Sequence, residues 1–339
     1  MLNAYERCNL CPRKCLVNRL NGQIGFCKET AELKIACAMK HFGEEPPVTA
    51  IGGSGTIFVT GCNLHCAFCQ NYQISQRGMG KFISIDEGVE LCLKLQESNS
   101  ENINFVTGSH AIPTIATIIE KAKLQGLKIP VCWNTSSYEN IESLEMLSGL
   151  VDIWLPDLKT LNPRIAQSVF QAPDYPSVAK KAIRWMINHT ENKFVALDKP
   201  TEISEYQNTT SILEKMISGV IVRHLVLPGR LGDTEIVLKW LKDNADEKAC
   251  ISLMSQYTPV NFEDNNFTQK TERENSLKAF QNRLLTKKEF DEIQKLISIY
   301  DFSYLFYQEL DDDTGWLPDF SRPQPFSATL AHPVWHWNN

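Results

Sequence analysis

The 339-residue sequence contains no apolar run near the roughly 18 to 20 residues that a membrane-spanning helix needs. Its N-terminus, MLNAYERCNLCPRKC, also lacks the hydrophobic core of a secretory signal peptide. Basic residues are in the minority, and the net charge of −6 weighs against a general nucleic-acid-binding protein, which favours a basic face. These absences predict a cytoplasmic protein with no membrane and no nucleic-acid partner.

Disorder is excluded by the hydrophobic content of 43%, which is enough for a large buried core. In a reducing cytoplasm, the eleven cysteines are interpreted as metal ligands before they are interpreted as disulfides. Four of them lie in apolar contexts and are expected to be buried small hydrophobes: Cys37, Cys92, Cys132 and Cys250.

Six short β-branched runs recur between Gly55 and about Val260, and each predicts a strand. They read GTIFVT, INFVTG, IPVCW, VDIWL, VIVRHLVL and ACISLM. Strands that alternate with helices imply a parallel sheet with right-handed crossovers. Six such units are too few for a closed eight-stranded barrel, so the sequence predicts an α/β fold of the partial (β/α)6 TIM-barrel type.

Amphipathic stretches separate these runs and predict helices over residues 85–97, 112–125 and 233–244. Ser84 and Glu87 form a capping box at the first of them. Asp233 is the expected N-cap of the last.

Composition divides the chain into three zones. Residues 1–50 predict a cysteine-rich, metal-binding N-terminal extension, and residues 51–260 predict the barrel. Residues 261–339 predict a C-terminal helix and an irregular tail rich in Trp and Pro that wraps back over the barrel. Residues 191–218 and 262–282 are polar and predict solvated loops.

The stretch TGCNLHCAFCQN, residues 60–71, places three cysteines directly after the first predicted strand. Active sites of such barrels lie at the C-terminal ends of the strands, where Cys62, Cys66 and Cys69 stand. Thiolates bind iron–sulfur clusters, and a closed cluster uses four cysteines. A fourth is absent nearby, which leaves one iron open to a non-protein ligand. The alternative is a three-cysteine zinc site completed by His65 or another residue.

The spacing C-x3-C-x2-C, with the aromatic Phe68 before the third cysteine, resembles the signature of the radical S-adenosylmethionine (SAM) superfamily. The resemblance implies that Cys62, Cys66 and Cys69 hold a 4Fe–4S cluster whose open iron chelates the amino and carboxylate groups of SAM. It also implies that the reduced cluster cleaves SAM to a 5'-deoxyadenosyl radical that abstracts a hydrogen atom.

Other predicted strand ends carry candidate SAM contacts. In VTGSHAIP, the residues Thr107, Gly108 and Ser109 occupy the place of a Gly-Gly-Glu stretch of the superfamily, whose backbone meets the SAM amino group. The usual glutamate is missing here. In WNTSSY, Asn134 and Ser136 are expected to face the ribose or the carboxylate of SAM.

The segments LPDLKT and VRHLVLPG resemble "DLK" and "R-x-x-V-x-P-G" segments of enzymes that activate glycyl-radical enzymes. By that resemblance Lys159 and Arg223 bind the carboxylate or ribose of SAM, and carbonyls near Leu225 edge the adenine. The alternative for Asp157 and Lys159 is an internal ion pair, and an Arg within a strand needs a buried anion partner. His224 is expected to pack on the other face.

The N-terminal cysteines follow C-x2-C-x3-C-x11-C at Cys8, Cys11, Cys15 and Cys27. Four thiols in this arrangement close a tetrahedral zinc site or ligate a second cluster, and spacing alone does not choose between them. Zinc is preferred, because a segment with little apolar content gains folding energy from a redox-inert ion.

With these segments and SLMSQYTP, the opening CNLCPRKCLVNRLNGQIGFC is similar to the PflX-type branch, which is described as pyruvate formate-lyase activating enzyme-like. This resemblance implies hydrogen abstraction from a glycine of a partner protein, fed by an electron donor such as flavodoxin or ferredoxin. Two alternatives stay open. One is a peptide- or small-molecule-modifying radical SAM enzyme that uses a second N-terminal cluster, and the other is a non-catalytic metal-binding module.

Overall fold

The computed structural model describes residues 1–201, 212–262, 267–311 and 315–338. All six predicted strands form. The strands are β1 (Leu33–His41), β2 (Ser54–Val59), β3 (Lys81–Ile83), β4 (Ile103–Val106), β5 (Val131–Thr135), β6 (Ile153–Pro156), β7 (Lys193–Thr201), β8 (Ile212–Leu225), β9 (Cys250–Met254), β10 (Leu305–Tyr307) and β11 (Ala331–His336).

The helices are α1 (Pro46–Thr49), α2 (Tyr72–Ser75), α3 (Ile85–Glu97), α4 (Ile112–Leu124), α5 (Ile141–Glu145), α6 (Pro163–Phe170), α7 (Tyr175–His189), α8 (Leu231–Asn244), α9 (Phe267–Leu277) and α10 (Lys287–Tyr300). Before β1, the chain forms two short 3-10 turns joined by loops. None of the helices in the described ranges is long and apolar enough to span a membrane.

One sheet organises the chain, with strands in the order β10-β9-β8-β6-β5-β4-β2-β1-β11. Neighbours from β2 to β10 are parallel, as strands joined by long crossovers require. β1 pairs antiparallel with β2 and with β11. The path of hydrogen-bonded strands ends at β10 and β11, so the fold is an open α/β partial barrel.

Helices cover one face of this sheet, because every second side chain of a strand points to that face and these side chains are apolar. Phe105, Trp133, Trp154 and Val222 from successive strands are buried in the largest apolar cluster together with residues of α3, α4 and α7. The capping box at α3 is confirmed, with Ser84 Oγ accepting from the Glu87 N–H at 3.1 Å.

The opposite, inner face holds a second cluster, in which Val48 of the short helix α1 packs against β5, β6, β8 and β9. α1 thus closes part of the interior. All four cysteines expected to be small hydrophobes are fully buried, and Cys132 and Cys250 belong to this inner cluster.

Four expectations fail locally. α8 begins at Leu231 after an N-cap at Arg230, so the prediction of Asp233 as N-cap is wrong. The Asp233 carboxylate lies in the first turn of α8 instead, where it interacts favourably with the helix dipole and forms an ion pair with Arg230. The loop predicted over residues 191–218 contains the antiparallel pair β7 and β8, and residues 202–211 of it lie outside the described residues.

The other polar segment, residues 262–282, contains α9, and residues 263–266 lie outside the described residues. The tail is not wholly irregular either, because β11 adds to β1. Its Phe320 and Phe326 pack against Phe58 of β2 with ring centroids 5.3 and 5.6 Å apart. This placement returns the tail to the sheet.

Candidate functional site

Cys62, Cys66 and Cys69 lie on the loop that follows β2, at its C-terminal end. Gly61 makes the turn into this loop with φ of +86°, and a side chain there would lie 2.4 Å from Glu29. Burial raises the pKa of all three thiols. The charge of Cys69 further raises the pKa of Cys62 and of Cys66. The loop therefore gathers the three thiols into one group, in which Cys62 and Cys66 are buried and Cys69 is half-buried.

Hydrogen bonds hold this loop in place. The Leu64 N–H donates to Cys62 Sγ at 3.3 Å, and Cys69 Sγ lies 3.3 Å from Ser75 Oγ of α2. His65, one candidate for the fourth ligand in the zinc alternative, packs at a tilt against Phe26 with ring centroids 4.6 Å apart, and its buried Nε2 has no hydrogen-bond partner among the described residues. Three thiols on one loop suit a cluster with one open iron.

Within the described ranges, no three His, Cys, Asp or Glu side chains are grouped as ligands of a single metal ion. A 4Fe–4S cluster has a different requirement, because its thiolates bind separate irons. Phe68 lies between these cysteines in sequence and packs edge-on against Phe170, Tyr257 and Phe280 with centroids 5.9 to 6.0 Å apart. This aromatic cluster adjoins the loop.

The loop after β4 lies beside the end of β5. Thr107 takes a left-handed backbone, with φ of 63°, and its N–H donates to the Asn134 carbonyl at 2.9 Å. A side chain on Gly108 would lie 2.6 Å from Trp133, so this position requires glycine. Ser136, directly after β5, is buried. Four predicted SAM contacts thus lie at the C-terminal ends of two adjacent strands: Thr107, Gly108, Asn134 and Ser136.

Glu139 is a residue that sequence reasoning missed. Its carboxylate is buried and accepts from Ser109 Oγ at 2.8 Å and from Trp133 Nε1 at 2.9 Å. Burial raises its pKa. Its hydrogen bond to Ser109 links it to the loop after β4. Its distance in sequence from that loop gave no signal for this contact.

Asp157 and Lys159 follow β6. Lys159 Nζ lies 2.5 Å from Asp157 Oδ2, and this pairing is the ion pair that was left open as the alternative. Burial lowers the pKa of Lys159, but the charges of Asp157 and Cys66 outweigh it and the pKa is raised. The ammonium also offsets part of the effect of burial on the Cys66 thiol, whose pKa stays raised. Lys159 therefore forms an ion pair with Asp157 and also acts electrostatically on the cysteine loop.

Arg223 of β8 is buried and paired with two carboxylates. Its Nε donates to Glu45 Oε1 at 2.9 Å, and its Nη2 contacts both Glu44 and Glu45. Asn104 Nδ2 donates to Glu44 at 3.0 Å. Burial raises the pKa of Glu44, but Arg223 outweighs this and lowers it. These glutamates are the anion partners that a buried strand Arg requires.

His224 and Leu225 are the other two residues of β8 for which the sequence made predictions. Successive side chains of a strand point to opposite faces of the sheet, so His224 faces away from Arg223. His224 points to the helical face, where its Nδ1 lies 2.7 Å from the Leu158 carbonyl and its Nε2 lies 3.1 Å from Thr234 Oγ1. Burial lowers its pKa to about 4. Leu225 is half-buried at the end of β8. The expectation that His224 packs away from the site is confirmed.

The N-terminal cysteines form a separate group. All four line one small cavity that is partly open to solvent. Cys8, Cys11 and Cys27 are buried, and Cys15 is half-buried. The structure thus brings together the four thiols that the spacing grouped.

A partial α/β barrel with three thiols behind its first parallel strand defines the class of protein, and the comparisons agree with it. Residues 56–197 match the family model of the radical SAM superfamily. A relative from Methanocaldococcus jannaschii, described as an uncharacterized protein, is 30% identical over 264 residues, which cover 76% of this chain and 68% of that protein. The chain belongs to the radical SAM superfamily, which implies a 4Fe–4S cluster and SAM.

Solved structures are similar at a greater distance. A domain of pyruvate-formate lyase-activating enzyme from Bacteroides vulgatus is 11% identical with a TM-score of 0.35, over 58% of this chain and 90% of that one. A radical SAM methyltransferase from Sphaerobacter thermophilus is 12% identical with a TM-score of 0.45, over 74% of this chain and 66% of that one.

Proposed function

We propose that this protein is an enzyme that cleaves SAM reductively and uses the resulting radical to abstract a hydrogen atom from its substrate. The observation that carries the proposal is the loop of Cys62, Cys66 and Cys69 at the C-terminal end of β2, where the charge of Lys159 acts on the Cys66 thiol. When bound there, a reduced 4Fe–4S cluster supplies the electron that converts SAM to methionine and a 5'-deoxyadenosyl radical.

The chain's own residues bind and orient SAM in this proposal. Lys159 supplies a positive charge for the anionic end of SAM, next to the cysteine loop. The backbone carbonyls of Thr107 and Gly108 accept hydrogen bonds from the SAM amino group. Glu139 holds this segment in place through its hydrogen bond with Ser109. Asn134 offers an amide from the adjacent strand end.

Further contacts complete the proposed SAM pocket. Ser136 stands beside the ribose, and the carbonyls near Leu225 stand beside the adenine. Phe68 packs along the cysteine loop, and Asp157 orients Lys159. Arg223 retains its predicted contact with SAM only through donors that Glu44 and Glu45 leave free.

Replacing Lys159 by Met is expected to weaken SAM binding by about 1.5 to 3 kcal/mol, the range for hydrogen bonds to charged groups. Titration calorimetry of the anaerobically reconstituted protein measures it, and the iron content should not change. Lys94→Met is the matched control, because Lys94 lies on the exposed face of α3. Unchanged SAM affinity together with lower stability would assign Lys159 to the ion pair with Asp157 alone.

The narrower proposal is that the hydrogen atom comes from a glycine of a partner polypeptide. The segments around Asp157, Lys159 and Arg223 support it through their resemblance to activating enzymes. Pyruvate formate-lyase, incubated anaerobically with the reduced protein and SAM, should acquire the electron paramagnetic resonance (EPR) doublet of a glycyl radical. A reconstituted protein that forms 5'-deoxyadenosine but leaves this probe without a radical favours the peptide- or small-molecule-modifying alternative.

We also propose a cytoplasmic location, because thiolate ligands persist in a reducing compartment. The electron donor is a small one-electron carrier such as flavodoxin or ferredoxin.

A further inference from the structure

The loop of the three catalytic cysteines has no regular structure of its own. Residues 60–71, between β2 and α2, form neither helix nor strand, and His65 has a left-handed backbone with φ of 53°. Ordering such a segment costs conformational entropy, which contacts from outside the loop must offset. A cluster needs its ligands in one fixed geometry. The contacts that hold this loop are therefore part of the site.

The short helix α2 and its C-cap residue Gln76 supply several of these contacts. Gln76 Nε2 donates to the Cys66 carbonyl at 2.9 Å, and Ser75 Oγ lies 3.3 Å from Cys69 Sγ. The position of α2 thus sets the position of two of the three cysteines.

Gln73, on the same helix, connects α2 to the C-terminal tail. Its Nε2 donates to Asp319 Oδ1 at 2.9 Å, and its Oε1 accepts from the Phe320 N–H at 2.7 Å. Both ends of one amide are thus bonded to adjacent residues of the tail. No other side chain of α2 has a printed hydrogen bond to residues 315–338 of the tail.

The tail is itself anchored at this point. Phe320 is fully buried and packs against Phe58 of β2 with ring centroids 5.3 Å apart. Its carbonyl accepts from Trp337 Nε1 at 2.9 Å and lies 3.2 Å from Nε2 of His336, a residue of β11. Because β11 pairs with β1, Gln73 is bonded to a segment that the sheet holds in place.

Asp319 is a strong acceptor for this bond. Burial raises its pKa, but the hydrogen bonds from Gln73 and Ser321 outweigh this effect and the pKa is lowered. The Ser321 hydroxyl donates to the same oxygen, Oδ1, at 2.7 Å. Hydrogen bonds to a carboxylate are stronger than those between neutral groups, so the link between α2 and the tail is charge-assisted.

We propose that Gln73 is a positioning residue of the catalytic site, which fixes α2 on the C-terminal tail so that Cys66 and Cys69 stay in the geometry that the cluster requires. The tail then acts on the reaction through Gln73, although it follows the cysteine loop by about 250 positions in sequence. The effect on SAM cleavage rests on the proposed function, whereas the effect on the loop does not.

The first test uses the unreconstituted protein. In Gln73→Leu, hydrogen exchange of the amides of residues 62–76 should become faster by roughly tenfold, as expected when one or two hydrogen bonds are lost. Alkylation of Cys69 by iodoacetamide should also be faster, because access controls thiol reactivity. Exchange and alkylation at wild-type rates overturn the proposal.

Gln96→Leu is the matched control. The Gln96 amide also bridges two segments, since it donates to the Gly126 carbonyl at 3.1 Å and accepts from the Lys128 N–H at 2.6 Å. It lies on α3, outside the contacts of the cysteine loop. This variant should leave exchange over residues 62–76 unchanged, and an equal increase there would overturn the specific role of Gln73.

The second test measures the midpoint potential of the reconstituted catalytic cluster. Hydrogen bonds to the sulfurs contribute to the potential of a cluster, so Ser75→Ala should shift it to a more negative value. Gln73→Leu should shift it in the same direction at unchanged iron content. If Gln73 acts through α2, the double variant should show less than the sum of both shifts. Additive shifts, or no shift in Gln73→Leu, contradict the proposal.

Variants of the tail cover the case in which Gln73→Leu does not fold. Asp319→Ala removes one acceptor of Gln73 and should reproduce the faster exchange, while Asp319→Asn keeps an acceptor oxygen and should stay near wild type. Identical behaviour of these two variants contradicts the link through Asp319. A wild-type protein that binds a cluster but does not cleave SAM would refute the proposed function alone, because exchange and potential are measured without SAM.

Discussion

Replacing Cys66 by Ala is expected to abolish both the SAM-responsive 4Fe–4S signal and 5'-deoxyadenosine formation. The thiol of Cys66 is buried, and the charges of Lys159, Cys69 and Cys62 all act on it. Two remaining thiolates do not hold a cluster that three thiolates ligate. EPR spectroscopy of the reduced protein and chromatography of the nucleoside products measure the two losses.

The matched control for this variant is Cys92→Ala, which also removes a buried thiol but lies in α3. It should keep both the signal and the product. A SAM-responsive cluster that persists in Cys66→Ala refutes the ligand assignment.

Replacing Arg223 by Met is expected to lower the free energy of unfolding by about 3 to 5 kcal/mol, the range for removing one partner of a buried ion pair. The change leaves the carboxylates of Glu44 and Glu45 buried without their cation. Urea unfolding of the unreconstituted protein gives the difference.

A second background tests the cause of this loss. With Glu44→Gln and Glu45→Gln already present, the same Arg223→Met change should cost much less, because no carboxylate is left unpaired. Equal losses in both backgrounds, or a loss below about 1 kcal/mol in the first, contradict the buried ion-pair account.

The pH dependence gives an independent check. Arg223 lowers the pKa of Glu44 in the folded protein. The stability that Glu44 contributes through this shift is therefore present above the carboxyl's ordinary pKa, and it is lost as the pH falls through the lowered value. The stability difference between wild type and Arg223→Met should shrink on acidification, and a difference that grows would be inconsistent with this pairing.

The parallel core of the fold could be predicted because its signals are local. Each of the six predicted strands is a β-branched run. Apolar residues at helical spacing and the Ser84 capping box predict α3. β10 was missed because three residues are too few to show alternation. β11 was missed because its pairing with β1 joins the two ends of the sequence and contains Pro333.

The candidate site divides in the same way. Cys62, Cys66 and Cys69 could be assigned from spacing, since all three lie on one loop. The partners of Arg223 could not, because Glu44 and Glu45 are about 180 positions away in sequence. Contacts between distant segments leave no periodic pattern.

The same limit applies to the N-terminal site. The spacing of the four cysteines grouped them, but it did not indicate that His110 shares their cavity. Nor did the sequence show that Phe26 touches the catalytic loop at His65. Both facts depend on how the extension docks on the barrel.

The measurement that tests the central claim most directly is the response of the reduced, reconstituted wild-type protein to SAM. We predict that SAM shifts the EPR signal of the catalytic cluster, because it binds the iron that the three thiolates leave open, and that 5'-deoxyadenosine accumulates. A cluster whose signal is unchanged by SAM and that yields no 5'-deoxyadenosine would contradict the assignment of this protein as a radical SAM enzyme.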